Sequence, residues 1–553
     1  MVDTPQTPLT IAGNDWHFVN GKWQDGQGES LIVPKELLRS DGYSLQGHHY
    51  AFAKNICLRD VRIRFEFRLM PHTDIGLILR ATDESHFYLL HFPNCGQASR
   101  SQHFWAALSK MDGSGYLRRI KMEMVRRVPS NSGLWLCADV TLSGNKISVC
   151  IDKNGRFEAQ DETYCGPGHI GIHCFSCGGF SQPEIRNVTI EAQPAASSVW
   201  NDKVRQPKNW FCPCPDTAYG NWQKPLDLVC LPDGELLLNY VAVDQATEKW
   251  TGLLSRSADG GRTWSSPETP DILQVNDEWY PSRVHMTPGQ RLICLIPTDN
   301  DYLTAESKDA GRTWSKPVPV AIGPAPAQLG ELILGPQAFL NLADGSMVLF
   351  CYGHIDSKYS DLFSSANSVA DQTWGSGHAQ AFTCRSTDDG HTWSSLANID
   401  NPGCDAQGKQ YEGNLDLTEI CGVQLSNGRI MALIRPVYSP WMWETWSQDG
   451  GTTWGPCVRG PFPGYATPNM LRTASGAILV AHRLPGLTIH CSFDDGRSWD
   501  QGTMIDSAVW VMGTMAEVEP NLVLYVYWDS FESLMRAQFI RVLPSRIEPL
   551  GAG

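Results

Sequence analysis

The chain has 553 residues, 44 Lys plus Arg against 59 Asp plus Glu, and a formal net charge of −15. That acidic balance argues against a broad nucleic-acid or anionic-membrane footprint. A hydrophobic share of 42%, with 20 Trp, 19 Phe and 16 Tyr, excludes a disordered chain.

No apolar run reaches the roughly 20 residues that cross a bilayer as a helix. The opening stretch MVDTPQTPLTIAGNDWHF has neither a basic n-region nor an apolar h-region, so it does not read as a signal peptide. As written the chain is expected in the cytoplasm; a secreted or periplasmic location follows if a signal was trimmed. The 17 cysteines are odd in number and scattered, and Cys230, Cys294, Cys351 and Cys421 sit in apolar strand-like runs. Buried thiols fit this pattern better than a disulfide framework. Cys174 and Cys177 form a lone CxxC, which reads as strand and not as a metal site. The histidines are isolated along the chain, so neither metal nor cofactor is expected.

Residues 1–193 alternate in short runs: 61–69, 75–82, 87–92, 134–142, 146–152 and 185–192. Each is rich in β-branched or aromatic residues, and turn signals such as SGN and KNG separate them. An antiparallel β-sandwich is the physical reading. The order of features resembles the concanavalin-like (laminin-G-like) modules often joined to sugar-active enzymes. A structural cap and a carbohydrate-binding module are both open. Residues 194–210, small, polar and Pro-containing, are read as a linker.

Residues 211–553 repeat. The pattern S-x-D-x-G-x-[TS]-W occurs at Ser257–Trp264, Ser307–Trp314, Ser386–Trp393, Ser447–Trp454 and Ser492–Trp499. Its Asp is expected to cap its own turn, its Gly to take a positive φ and its Trp to pack between sheets. A second element alternates with it, two apolar strands about a Gly turn, at 226–241, 282–297, 337–352, 420–435 and 469–483, with a degenerate sixth copy at 514–528. Six such units predict an all-β chain, a six-bladed propeller preceded by the sandwich, its last blade lacking the Trp-ended turn.

The five turns resemble the Asp boxes of the sialidase (neuraminidase) superfamily, and six blades match its catalytic fold. The resemblance spans about 205–545. In an up-and-down blade the Asp boxes and first hairpins share one face. Residues before strand one or after strand two therefore surround the cup on the other face. These are Lys224, Asp244, Glu248, Tyr280, Arg283, Asp299, His354, Asp356, Glu419, Arg435, Tyr465, Arg483 and Asp529.

Glu419 precedes Gly428 by nine residues and Arg435 follows it by seven, spacings that resemble a sialidase segment. The resemblance implies that Glu419 polarises a nucleophilic Tyr and that Arg435 grips a substrate carboxylate. From chemistry alone, a carboxylate flanked by Ile420 and Cys421 needs a cationic partner, and a structural ion pair is the alternative. Arg483 lies at the same offset in blade five, and Arg283 of blade two is a third candidate clamp. Where the family has its first Arg, this chain has Lys224. Asp244, with Glu248 as a rival, holds the loop position of the family's acid/base. Where the family has its Tyr, at the start of blade six, residues 506–520 contain none, and Tyr465 is the nearest candidate. With Tyr465 beside Glu419 a retaining mechanism follows; without a Tyr, an inverting one.

The expected activity is exo-acting release of a terminal acidic sugar, sialic acid or a related nonulosonic acid, from an acidic glycan. A lyase or hydrolase of uronic-acid glycans and a non-catalytic glycan-binding protein are the alternatives. Trp441 and Trp443 are candidates for stacking on a sugar ring.

Overall fold

The computed structural model describes residues 6–20, 22–25, 32–35, 47–68, 73–95, 101–129, 134–176, 184–192, 199–214, 223–244, 249–273, 281–298, 302–322, 333–355, 378–399, 417–436, 441–484, 486–507, 513–529 and 534–550. These residues are almost all strand and turn, with a single 3-10 turn at Asp271–Leu273. No helix among them is long and apolar enough to cross a membrane. The chain packs as two units. Unit 1 is Met1–Lys208 with Arg483–Ile489 and Gln501–Val509; unit 2 is Asn209–His482 with His490–Asp500 and Trp510–Gly553.

Unit 1 contains two antiparallel sheets. In one, Val61–Arg68 alternates strictly, Val61, Ile63, Phe65 and Phe67 pointing inward. Its outward Arg62 and Arg64 meet Asp139 at 2.5 and 3.1 Å. The other sheet contributes Leu77, Leu90, Leu108 and Ile172 to the same core. That second sheet is buried on its other face as well, by Tyr50, Phe52, Ile78, Phe87, Leu89 and Met111. Strands covered on both sides lose the alternating signature. This is why the sequence reading misses Gly47–Leu58, Ser101–Asp112 and Gly168–Ser176. Trp200, in the stretch read as linker, is buried against Phe52 at a ring distance of 5.1 Å.

The repeats form six consecutive sets of antiparallel strands. Their inner strands are Gln223–Cys230, Arg283–Met286, Ile333–Asn341, Leu417–Gln424, Tyr465–Arg472 and Gly513–Glu519. Neighbouring blades touch all round. Val284 N–H donates to Asp227 Oδ2 (2.9 Å), His285 meets Asn341 (2.8 Å) and Gly422 lies against the Phe350 ring. Cys421 and Met470 share a core, Ala474 N–H donates to Glu517 (2.6 Å) and Leu228 N–H to Thr514 (3.0 Å). That last bond joins blade one to blade six. Phe211 also pairs with Ala537 of blade six through two backbone bonds of 3.0 and 2.8 Å. The last strand of blade five, Thr503–Asp506, belongs to unit 1.

Each Asp box does its physical work locally. In the first, the Asp259 carboxylate accepts from Ser257 Oγ (2.8 Å), from Arg262 and Thr263 N–H (3.0 and 2.9 Å) and from Thr263 Oγ1 (2.6 Å). The Thr263 hydroxyl and these N–H groups hold Asp259 at about 2, well below an ordinary carboxylate; Asp309 and Asp494 are held likewise. The box glycines have φ between 81° and 94°. Gly261 is further constrained, since a Cβ there would run into Leu524. The tryptophans pack into successive cores: Trp264 with Leu524, Trp314 with Leu237, Trp393 with Leu295, Trp454 with Phe350 and Trp499 with Val480. Trp454 Nε1 also donates to Thr383 Oγ1 of the preceding blade (2.7 Å).

The thiols follow the sequence reading in part. Cys294, Cys351 and Cys421 are buried and free, whereas Cys230 is exposed where its strand ends. Cys174 is a buried free thiol on a strand. Replacing Trp454 by Ala removes both the ring and its bond to Thr383. The expected cost is about 2–3 kcal/mol, read as a lower urea midpoint of the propeller with an unchanged slope, and Trp454→Phe should recover most of it.

Candidate functional site

A cavity of about 510 Å³ runs along the inner strands, and all six blades line it. Lys224, Arg283 and Glu419 lie within three residues of the start of their inner strands, which places them at one end. The Asp boxes, closing each third strand, lie at the other.

In blade four Glu419 is on the cavity wall, and its Oε2 is 2.9 Å from Arg435 Nη1. The two side chains are 13% and 15% exposed, enough for a ligand to reach them and little enough to keep the attraction strong. The Gly428 hairpin, with φ 84°, sets the register that brings the strand ends together. An irregularity between Leu417 and Ile420 lies where Glu419 sits. Thr418 Oγ1 donates to the Arg435 carbonyl (2.9 Å), bracing the same corner. An ionised carboxylate paired with a guanidinium can accept a proton from a hydroxyl held beside it.

Arg283 is engaged differently. Its Nε and Nη2 donate to Asp227 Oδ1 at 3.0 and 2.7 Å, and Nη2 reaches the Leu226 carbonyl at 3.3 Å. Asp227 also accepts from Asn239 Nδ2 and from Val284 N–H, both at 2.9 Å. This network ties blade one to blade two, and a substrate carboxylate at Arg283 would compete with Asp227. The sequence reading overlooked Asp227. Its signal was an acid inside the apolar run LDLVC, which demands a buried partner.

Lys224 is buried, its ammonium 4.7 Å from the Trp250 ring centroid and 5.0 Å from that of Trp528. Two aromatic faces compensate part of its lost hydration. Arg483 ends its strand, is buried and belongs to unit 1. Asp529 pairs with Arg536 (2.7 Å), which lies 3.9 Å over the Trp210 ring. Asp244 and Tyr465 are placed at strand ends, but their side chains lie outside the described residues, as does that of His354. Glu248, Tyr280, Asp299 and Asp356 lie wholly outside them. Blade six presents Gly513, Thr514 and Met515 to the cavity. Tyr352 lines it from blade three, seven residues after Gly345, the offset Arg435 has from Gly428.

Of the two candidate stacking residues, Trp443 is 2% exposed in the core between blades three and four, which removes it from any sugar surface. Trp441 lies under Arg459 at 4.6 Å. Among the described residues no group of His, Cys, Asp and Glu has the geometry of a metal site. The histidines are not isolated in space, however. Several meet inside unit 1.

Residues 297–510 match the family profile of the BNR repeat-like domain. The matched BNR repeats include four of the five boxes, from Ser307 to Trp499. No curated protein sequence matches the chain. Among solved structures it is similar to a protein of unknown function from Dyadobacter fermentans, with 13% identity, TM-score 0.45, and 61% of this chain covered against 99% of that one. It is also similar to the NanB sialidase of Streptococcus pneumoniae (10%, TM-score 0.43, 86% and 94% covered). A third is the α-L-arabinanase of Penicillium chrysogenum (14%, TM-score 0.44, 61% and 99% covered).

Asp227→Ala removes the carboxylate that Arg283, Asn239 and Val284 N–H share in a mostly buried site. The expected loss is about 3–5 kcal/mol, measured by urea unfolding, whereas Asp227→Asn, which keeps the shape and one acceptor oxygen but no charge, should lose less.

Proposed function

We propose that the chain is an exo-acting glycoside hydrolase that releases a terminal acidic sugar, sialic acid or a related nonulosonic acid. The observation that carries this reading is the Glu419–Arg435 contact on the wall of the six-bladed cavity. An Asp-box domain with a paired, partly open carboxylate and guanidinium has the two functions the reaction needs. Arg435 meets the sugar's carboxylate, and Glu419 holds a proton acceptor beside the anomeric carbon.

In this reading Tyr465 is the nucleophile. Its phenol proton passes to Glu419 as the phenolate attacks the anomeric carbon, and Asp244 protonates the departing oxygen. Water then displaces the enzyme from the glycosyl intermediate. A phenol suits a sugar whose own carboxylate adjoins the reacting carbon, because it brings no charge to the encounter. Lys224 adds positive potential.

A second reading is a lyase or hydrolase of uronic-acid glycans. It is favoured by the Gly513-Thr514-Met515 start of blade six and by the commitment of Arg283 to Asp227.

The test is hydrolysis of 4-methylumbelliferyl N-acetylneuraminic acid by the purified chain and by Glu419→Ala and Arg435→Ala. The reading expects turnover, a loss of about a hundredfold or more in kcat for Glu419→Ala, and for Arg435→Ala a loss falling mainly on KM. Full activity in Glu419→Ala, with circular dichroism showing an intact fold, would sink the assignment. No turnover by the wild type, with new ultraviolet absorbance from a uronic-acid glycan, would favour the second reading.

A further inference from the structure

Unit 1 buries an unusual polar row on one face of its second sheet. His48 Nδ1 lies 2.6 Å from His173 Nε2, and His48 Nε2 lies 3.1 Å from Met504 Sδ. Beside them His91 Nδ1 is 2.5 Å from Asp74 Oδ2, and His91 Nε2 is 3.0 Å from Ser109 Oγ. All these polar residues are 5% exposed or less. Ser109, His91 and Asp74 have the order of a hydrolytic triad, but Ser109 is 2% exposed and sealed from any substrate.

The contacts fix the protons. Thioether sulfur only accepts, so His48 Nε2 carries a hydrogen and donates it to Met504. A neutral imidazole has one N–H, so His48 Nδ1 is the acceptor and His173 Nε2–H the donor. His173 Nδ1 is then a bare lone pair, and among the described residues it has no hydrogen-bond partner. The chain therefore holds two neutral histidines in a fixed tautomeric sequence that ends at an unoccupied acceptor.

We propose that the His48–His173 pair is an acid-operated lock on unit 1: neutral, it fastens the sheet to the segment carrying Met504, and a further proton opens it. A proton at His173 Nδ1 creates a buried cation with no acceptor. A proton at His48 Nδ1 sets two N–H groups against each other. Either outcome costs far more than protonating the same imidazole in water.

The surrounding groups reinforce the choice. Burial lowers both histidines well below their ordinary value, and His91 and His49 lower them further. Tyr50, stacked on His48 and tilted against His173, is neutral, and burial raises it and the Cys174 thiol. Asp74, the one carboxylate in the row, is bonded to His91. Arg119 on the adjoining strand Leu117–Pro129 donates to the Gln501 and Leu484 carbonyls at 3.0 and 2.8 Å, and Arg118 pairs with Asp112 at 2.9 Å. Asp506, beyond Met504, has Ser507 Oγ at 3.4 Å.

The sign follows from linkage. Both histidines bind protons more weakly folded than unfolded, so their contribution is complete above the ordinary histidine value, about 6.5, and is lost as pH falls below it. Opening should grow by roughly tenfold per pH unit for each histidine, until the folded-state value is reached.

The experiment is hydrogen exchange of the full chain between pH 7.5 and 5, corrected for the intrinsic rate. The wild type should lose protection in Gly47–Leu58, Gly168–Ser176 and Thr503–Asp506 as pH falls, while the propeller's inner strands keep theirs. His173→Gln, which retains a donor toward His48 but cannot titrate, should flatten the dependence. Equal pH dependence in the two proteins overturns the proposal. Should His173→Gln fail to fold, NMR titration of the wild-type imidazoles decides. Silence of His48 and His173 down to pH 5.5 supports the lock, and titration of either near 6.5 overturns it.

Discussion

The structure depends on a tryptophan held by a carboxylate. In each Asp box the carboxylate collects backbone N–H and hydroxyl donors within one turn, and a glycine at positive φ lets the chain close over it. The turn is rigid without help from the core, so it can aim a large ring at the neighbouring blade. Repeated five times, this wedge sets blade beside blade. The sixth blade has no box and is joined from both sides instead: Thr514 binds Leu228 of blade one, Glu517 binds Ala474 of blade five, and Phe211 pairs with Ala537. Closing the ring brings six strand ends to one mouth.

The polar groups on the cavity wall fall into two kinds. Asp227 and Arg283 saturate one another with backbone and amide help, which is the arrangement of a structural tie. Glu419 meets Arg435 at 2.9 Å, and it is Glu419 that lines the cavity. The difference lies in how many donors each carboxylate has, and it sorts residues that look alike in the sequence. Lys224 is held between two indoles.

Much of this was legible because it is local. The Asp boxes, the Gly hairpins and the Glu419–Arg435 spacing of 16 residues all lie within one blade, where strand periodicity converts sequence offset into position. What escaped is non-local. Asp227 and Arg283 are 56 residues apart, and His48 and His173 are 125 apart. No spacing rule links residues on different blades or non-adjacent sandwich strands. The doubly buried sheet of unit 1 escaped for another reason: covering both faces erases alternation, and the histidines within Gly47–Leu58 disguise an interior strand as a polar one.

The central claim is that Glu419 and Arg435 face the reacting sugar. A structure of the full chain carrying Glu419→Gln, soaked with 3′-sialyllactose, tests it most directly. The account predicts the sialic acid in the cavity, its carboxylate on Arg435 and its anomeric carbon beside residue 419. A sugar bound only on unit 1, or one in the cavity with its carboxylate turned away from Arg435, would contradict it.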